Sequence, residues 1–135
     1  MWAQLTYESG YFDSLVEYQA GRAKFGHRYS GGGDKFFGRG LIQLTHDYNY
    51  KIIGDVIGVD LLNNRERAAE PKIAGQAACG YWEYYGLSRS FEVGGIDAVT
   101  VAVNGPQAGR ETKRAREVLY HAYRLLLQTK ANNVG

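Results

Sequence analysis

The sequence predicts a mainly α-helical fold, a single compact helical domain with only a very small β element. Apolar residues recur every three to four positions in several separate stretches, the pattern of helices that bury one face. Glycine and basic residues gather in one tract, about Gly21 to Gly40, leaving little sequence for strands. At 135 residues the chain is long enough for one well-buried core and too short for two ordinary domains, and it shows no repeat, low-complexity tract or interdomain linker.

Taken in order, Met1 to Ser9 places Met1, Leu5 and Glu8 at i, i+4 and i+7, with Gly10 as the stop. This stretch reads as the last turns of a helix. A helix so short is marginal alone, so more helix is expected before Met1. Ser14-Leu15-Val16-Glu17 fits a capping box that starts a second short helix. The tract from Gly21 to Gly40, with Gly31-Gly32-Gly33-Asp34 as its tip, reads as a loop or loose hairpin able to line a cleft. Phe36 to Thr45 reads as a short extended pair or turn. It leads into a helix from about His46 to Ile57 with Ile52, Ile53, Val56 and Ile57 inward.

Pro71 suits a first helical turn, and Ile73, Ala77, Tyr81 and Tyr84 or Tyr85 follow at helical spacing up to Gly86. This is expected to be the central buried helix. A shorter one uses Ile96, Val99 and Val103 and ends at Asn104-Gly105-Pro106. The last runs from about Glu111 with Ala115, Val118, Leu119, Ala122 and Leu126 inward.

Composition narrows the function classes. Lys+Arg 16 against Asp+Glu 14 gives a net charge of +2, compatible with an anionic cell wall and far from a nucleic-acid-binding footprint. One cysteine, Cys79, cannot close an internal disulfide, and no metal cluster is expected. No stretch has the length and apolarity of a membrane span, and the N-terminus lacks the pattern of a secretory signal. Eleven tyrosines and two tryptophans are a heavy aromatic load, serving either core packing or the holding of sugar faces.

Glycosidic hydrolysis needs a carboxylic acid to protonate the leaving oxygen and, in most cases, a second carboxylate as base or nucleophile. Glu8 shares its stripe with Met1 and Leu5, where desolvation would raise its proton affinity and suit it to act as the acid. The alternative is a rim glutamate with its head in water. Glu17 follows nine residues later across the Gly10 break and can face Glu8 over a cleft. Its alternative role is the fourth residue of the capping box, bonded back to Ser14. Asp34 in the glycine tract is the next candidate for a second carboxylate.

Trp2-Ala3-Gln4-Leu5-Thr6-Tyr7-Glu8-Ser9-Gly10 resembles a helix end of glycoside hydrolase family 19, and Phe37-Gly38-Arg39-Gly40-Leu41-Ile42-Gln43-Leu44-Thr45 with Tyr48-Asn49-Tyr50 resembles that family's signature. Ile57 to Asn64, the alanine-rich helix ending Gly80-Tyr81-Trp82, and Val103-Asn104-Gly105 follow in family order. The family, lysozyme-like in architecture, holds chitinases and phage or prophage endolysins. The spacing of Glu8, Ser9, Phe12, Leu15 and Glu17 resembles the endolysin branch, and the loops that extend a chitinase cleft are largely missing.

The resemblance implies hydrolysis of β-1,4 bonds between amino sugars, with peptidoglycan favoured over chitin and no cofactor. It implies Glu8 as general acid and Glu17 as the base that activates water, with inversion and the carboxylates about 6.5–9.5 Å apart. Thr45 would help hold that water. Gln43, Tyr48, Asn49 and Arg39 would line the sugar sites, and Asn104 would bind from the opposite wall. Arg116 would pair with an acid near the site, with Arg114 or Arg110 as alternatives. It also implies helical residues preceding Met1, a monomer, a polysaccharide partner rather than nucleic acid, and residence in the bacterial cytoplasm until release to the periplasm or cell wall.

Each residue keeps a plain alternative: a loop salt bridge for Arg39, a cap on a buried backbone group for Gln43, core for Tyr48, a helix C-cap for Asn104 and a solvated charge for Arg116. Three positions depart from the family pattern: Tyr7 before the acid, Tyr18 after Glu17, and Pro106 after Asn104-Gly105. None removes a carboxylate. The two rivals to a peptidoglycan hydrolase are a chitinase of the same mechanism and a sugar-binding homologue that no longer turns over.

Overall fold

The computed structural model describes residues 1–19, 28–32, 35–106 and 108–132, with the side chains of 126–127 and 129–132 set aside. Asp34 and the Leu126 side chain, both named above, lie outside the described residues. Among the described residues five helices form the body: α1 (Trp2–Glu8), α2 (Asp47–Ile57), α3 (Pro71–Tyr84), α4 (Leu87–Asn104) and α5 (Arg110–Asn132), with a 3₁₀ turn at Arg65–Ala69 before α3. Among the described residues, extended pairing amounts to two single-residue bridges, Val16 with Arg39 and Arg39 with Leu44. No helix among them is long and apolar enough to cross a membrane.

The core gathers Leu5 of α1, Phe36, Ile42 and Leu44 of the bridged segment, Tyr50 and Ile53 of α2, Leu61, and Ile73, Ala77 and Ala78 of α3. Small residues on α3 let α2 lie close against it, and α1 rests on α5. Gly40 sits where backbones meet. Its φ of +75° is left-handed, and a Cβ there would come within 2.6 Å of the Ala68 carbonyl oxygen, so only glycine fits.

Several expectations need correction. No helix starts at Ser14. Its hydroxyl accepts from the Val16 N–H at 3.1 Å and donates to the Val16 carbonyl at 2.6 Å, a local turn in place of a capping box. The neighbouring backbone pairs across instead: the Glu17 N–H donates to Gly38 O at 2.8 Å and the Gly40 N–H to Leu15 O at 2.7 Å. Helix α4 begins nine residues before Ile96, with Leu87 fully buried, and kinks where Gly94 (φ −138°) and Gly95 (φ 64°) leave helical geometry. Helical geometry breaks at the glycine pair, so the expected shorter helix through Ile96, Val99 and Val103 is present as the segment after it, and the unexpected part is the helical segment from Leu87 that precedes it.

The inward faces also shift. Met1, Val56, Tyr84 and Tyr85 are exposed, as are Val118 and Ala122. Helix α5 turns Thr112, Arg116 and Tyr123 toward α1, because α1 offers polar partners there. Tyr123 Oη shares a 2.8 Å hydrogen bond with Thr6 Oγ1, and Tyr7 Oη donates to Thr112 Oγ1 at 3.5 Å. The final turn of α3 runs past the core, which leaves its last tyrosines on a wall open to solvent.

Candidate active site

A cleft of about 930 Å³ opens between the end of α1, the segment after it, the start of α2, the last turns of α3 and the end of α4. Glu8 and Glu17 both line it, as do Gln43, Thr45, Tyr48, Asn49 and Asn104.

The segment joining the two acids is tightly built. Gly10, Tyr11 and Phe12 all have left-handed φ, 57°, 62° and 65°, and this unusual run turns the chain sharply after α1. Ser9 fastens it: its hydroxyl donates to Leu5 O at 2.7 Å and accepts from the Phe12 N–H at 2.9 Å. The turn brings Glu17 back beside Gly38.

Glu8, with a side chain only 16% exposed, meets Arg116, which is fully buried; Arg116 Nη2 lies 2.6 Å from Glu8 Oε1. The guanidinium also sits 4.6 Å over the Tyr7 ring, a favourable cation–π contact. Two influences oppose each other at Glu8. Burial disfavours the carboxylate and Arg116 favours it; burial dominates, and the carboxyl holds its proton to higher pH than an ordinary glutamic acid. The solvated-charge reading of Arg116 is thus excluded, as is a rim position for Glu8.

Glu17 is held differently. Oε2 accepts the Gly38 N–H at 2.9 Å and Oε1 accepts the Tyr29 hydroxyl at 3.0 Å. A Cβ on Gly38 would press within 2.6 Å of Gln43 Oε1 and 3.3 Å of Glu17 Cβ, so glycine makes room for the carboxylate. The arrangement sets on one cleft a carboxyl whose proton affinity is raised by burial and a second carboxyl held by a backbone N–H and a tyrosine hydroxyl.

The remaining sequence-derived residues divide. Thr45 and the half-exposed Tyr48 line the cleft, and Tyr48 stacks on His46 with centroids 5.1 Å apart. Asn49 also lines it, but its amide is engaged: Nδ2 donates to Thr45 O at 3.0 Å and Oδ1 accepts the Tyr85 hydroxyl at 2.5 Å. Gln43, with φ 51°, donates to Gly40 O at 3.0 Å, so it caps a backbone carbonyl and lines the cleft at once. Asn104 ends α4 and lies on the cleft wall contributed by that helix.

Arg39 departs from the expectation. It does not line the cleft; it is 6% exposed, donates to Lys35 O, Phe37 O and Tyr50 Oη, and lies 3.7 Å over the Phe37 ring. Behind the wall it braces the signature segment rather than meeting a ligand.

Sequence reasoning missed Tyr29, which holds Glu17, and Tyr85, which holds Asn49. Tyr81 packs against the core as expected and also lines the cleft, its hydroxyl pushed up to about 12 by burial, then by the charges of neighbouring groups including Glu8. The i, i+4 spacing of Tyr81 and Tyr85 just before Gly86 was the available signal, two rings on one face at a helix end.

Comparison with known proteins gives this geometry its relatives. Chitinase 11 of Oryza sativa subsp. japonica is 46% identical over 48 residues, 35% of this chain and 19% of that protein. Endochitinase 4 of Solanum tuberosum is 51% identical over 51 residues, 37% of this chain and 17% of that protein. The matches span less than a fifth of those relatives. Among solved structures, a class IV chitinase from Zea mays superposes with TM-score 0.73 at 23% identity, covering 94% of this chain and 66% of that one. A bacterial family 19 chitinase gives 0.71 at 26% identity, covering 93% and 70%. The mainly helical architecture is therefore the lysozyme-like fold of that family. A family model described as chitinase class I matches residues 6–113, most of the chain, and on that match the chain belongs to glycoside hydrolase family 19.

Proposed function

We propose that the chain hydrolyses β-1,4 bonds between amino sugars, with Glu8 as general acid and Glu17 as general base, and that its substrate is the glycan strand of peptidoglycan. The observation that carries the reading is the pair of contrasting carboxyls on one cleft: Glu8 buried on Arg116, Glu17 held by Gly38 and Tyr29.

In this reading Glu8 delivers its proton to the leaving oxygen, and Arg116 stabilises the carboxylate that remains. Glu17 takes a proton from water as that water attacks the opposite face of the sugar, so the anomeric centre inverts. Thr45, on the same wall, helps hold the water. Tyr48 and Asn104 offer a ring and an amide to the sugars on either side. Peptidoglycan is favoured by the nine-residue path from Glu8 to Glu17, which leaves no extended loop between the acids.

Chitin is the second reading, favoured by the names of the relatives, chitinases and endochitinases. Incubation of equal amounts of protein with purified peptidoglycan and with colloidal chitin, followed by mass analysis of soluble products, decides between them. Peptidoglycan fragments with a new reducing end, absent with Glu8→Gln, are expected. Release from chitin alone would make the chain a chitinase, and release from neither would leave a binding protein.

A further inference from the structure

We infer that Tyr29 is a positioning residue for the base, its hydroxyl fixing the Glu17 carboxylate in the plane from which it takes the proton of water. The inference rests on the catalytic reading of Glu17 given above and assigns a function to a residue from the glycine tract that neither the sequence motifs nor the family match brings forward.

The geometry separates the hydroxyl from the strap that carries it. The strap is tied to the start of α2 through its neighbour: the Ser30 N–H donates to His46 Nδ1 at 3.1 Å, the Asp47 N–H donates to Ser30 O at 3.3 Å, and Ser30 Oγ donates to Asp47 Oδ1 at 2.5 Å. The Tyr29 ring packs edge-on against His46 with centroids 5.4 Å apart. None of these contacts uses the phenolic oxygen. That oxygen has one partner recorded in the structure, Glu17 Oε1 at 3.0 Å.

The second oxygen of Glu17 is held by a backbone donor, Gly38 N–H. One such bond leaves the carboxylate free to rotate about it, whereas a second donor on the other oxygen fixes both the χ angles and the plane. Proton abstraction from water requires that alignment. Burial, and then the nearby Glu17 carboxylate, push the phenol above the ordinary tyrosine range, so Tyr29 remains a donor at any working pH.

Tyr29→Phe removes the hydroxyl and retains the ring on His46. On soluble, un-cross-linked glycan strands, or a soluble N-acetylglucosamine hexamer if that is the better substrate, kcat should fall about tenfold while KM stays within twofold. The melting temperature should hold within about 4 °C, since one part-buried hydrogen bond of about 1 kcal/mol is lost. An unchanged kcat overturns the inference. So does a joint change in KM, kcat and melting temperature, which would make Tyr29 a structural brace. Glu17→Gln run in parallel separates the two levels: if it is inactive and Tyr29→Phe is normal, only the positioning role fails, and if Glu17→Gln is active the proposed mechanism fails with it.

Discussion

Arg116→Met tests the electrostatics of the site most sharply. Arg116 is fully buried, with Nη2 on Glu8 at 2.6 Å and with Nε and Nη1 lacking a partner among the described residues. Its charge is therefore compensated chiefly by Glu8. Methionine fills much of the same volume without charge. Breaking a buried pair from one side typically costs about 3–5 kcal/mol when the orphaned charge stays ionised. Each kcal/mol corresponds to about 3–4 °C at this chain length, so the variant should melt about 9–20 °C below the parent near pH 8.

The pH dependence carries the sign. Glu8 in the folded chain binds its proton more tightly than in the unfolded chain, because burial outweighs Arg116. A group with a raised folded value contributes stability that is fully present below the unfolded value and is lost as pH rises through the folded one. Without Arg116 the folded value rises further, so the deficit of the variant grows over a wider span above the ordinary glutamate range. Near pH 4 Glu8 is neutral in both proteins, and the parent then keeps a buried cation without an anionic partner. The gap should close there or reverse. Thermal unfolding of both proteins from pH 4 to 8 measures it. A deficit of the same size at both ends would mean that Arg116 acts through packing alone, and no deficit at pH 8 would mean that the pair stabilises nothing.

Glu8→Gln should lose at least about 10²–10⁴-fold in turnover, since an amide has no proton to give the leaving oxygen; residual activity within a few-fold of the parent would remove Glu8 from the acid's role. Glu17→Gln should lose turnover on a comparable scale while costing only about 1 kcal/mol, the loss of one of two hydrogen bonds, from Gly38 or Tyr29. An active Glu17→Gln protein would send the search for the second carboxylate to Asp34. Gly40→Ala should destabilise by about 2–4 kcal/mol, through the left-handed φ and the 2.6 Å approach to Ala68 O, and a melting curve like the parent's would contradict that packing.

How much of this was legible in the sequence depends on the range over which each signal acts. The burial of Glu8 was readable because its stripe with Leu5 is a property of one helix turn, and the helices at Asp47–Ile57 and Pro71–Tyr84 announced themselves by period, proline and glycine. Ser14 to Glu17 was misread for the complementary reason. Ser-x-x-Glu is a local pattern that suits both a helix start and a serine turn, and the choice is made by Gly38 and Gly40, more than twenty residues on, whose backbones pair with this segment. Glu17 thus owes its place to a long-range bridge rather than to a cap, which also removes the structural alternative that had competed with a functional one.

The last helix shows the same limit in its phase. Counting apolar residues favours a face through Ala115, Val118 and Ala122, and a hydrophobic count gives no weight to arginine. The observed face runs through Arg116, because the carboxyl it meets lies 108 positions earlier in the chain. A buried ion pair can set the rotation of a helix against its own apolar stripe, provided the pair forms before the stripe finds a competing surface. The helix rests on both α1 and α4, and on its α1 side it meets Thr6, Tyr7 and Glu8. The packing that holds the first and last helices together is thus the same set of polar contacts that fixes Glu8, so destabilising their interface should disturb the acid before it unfolds the core built on Leu44, Tyr50 and Ile53.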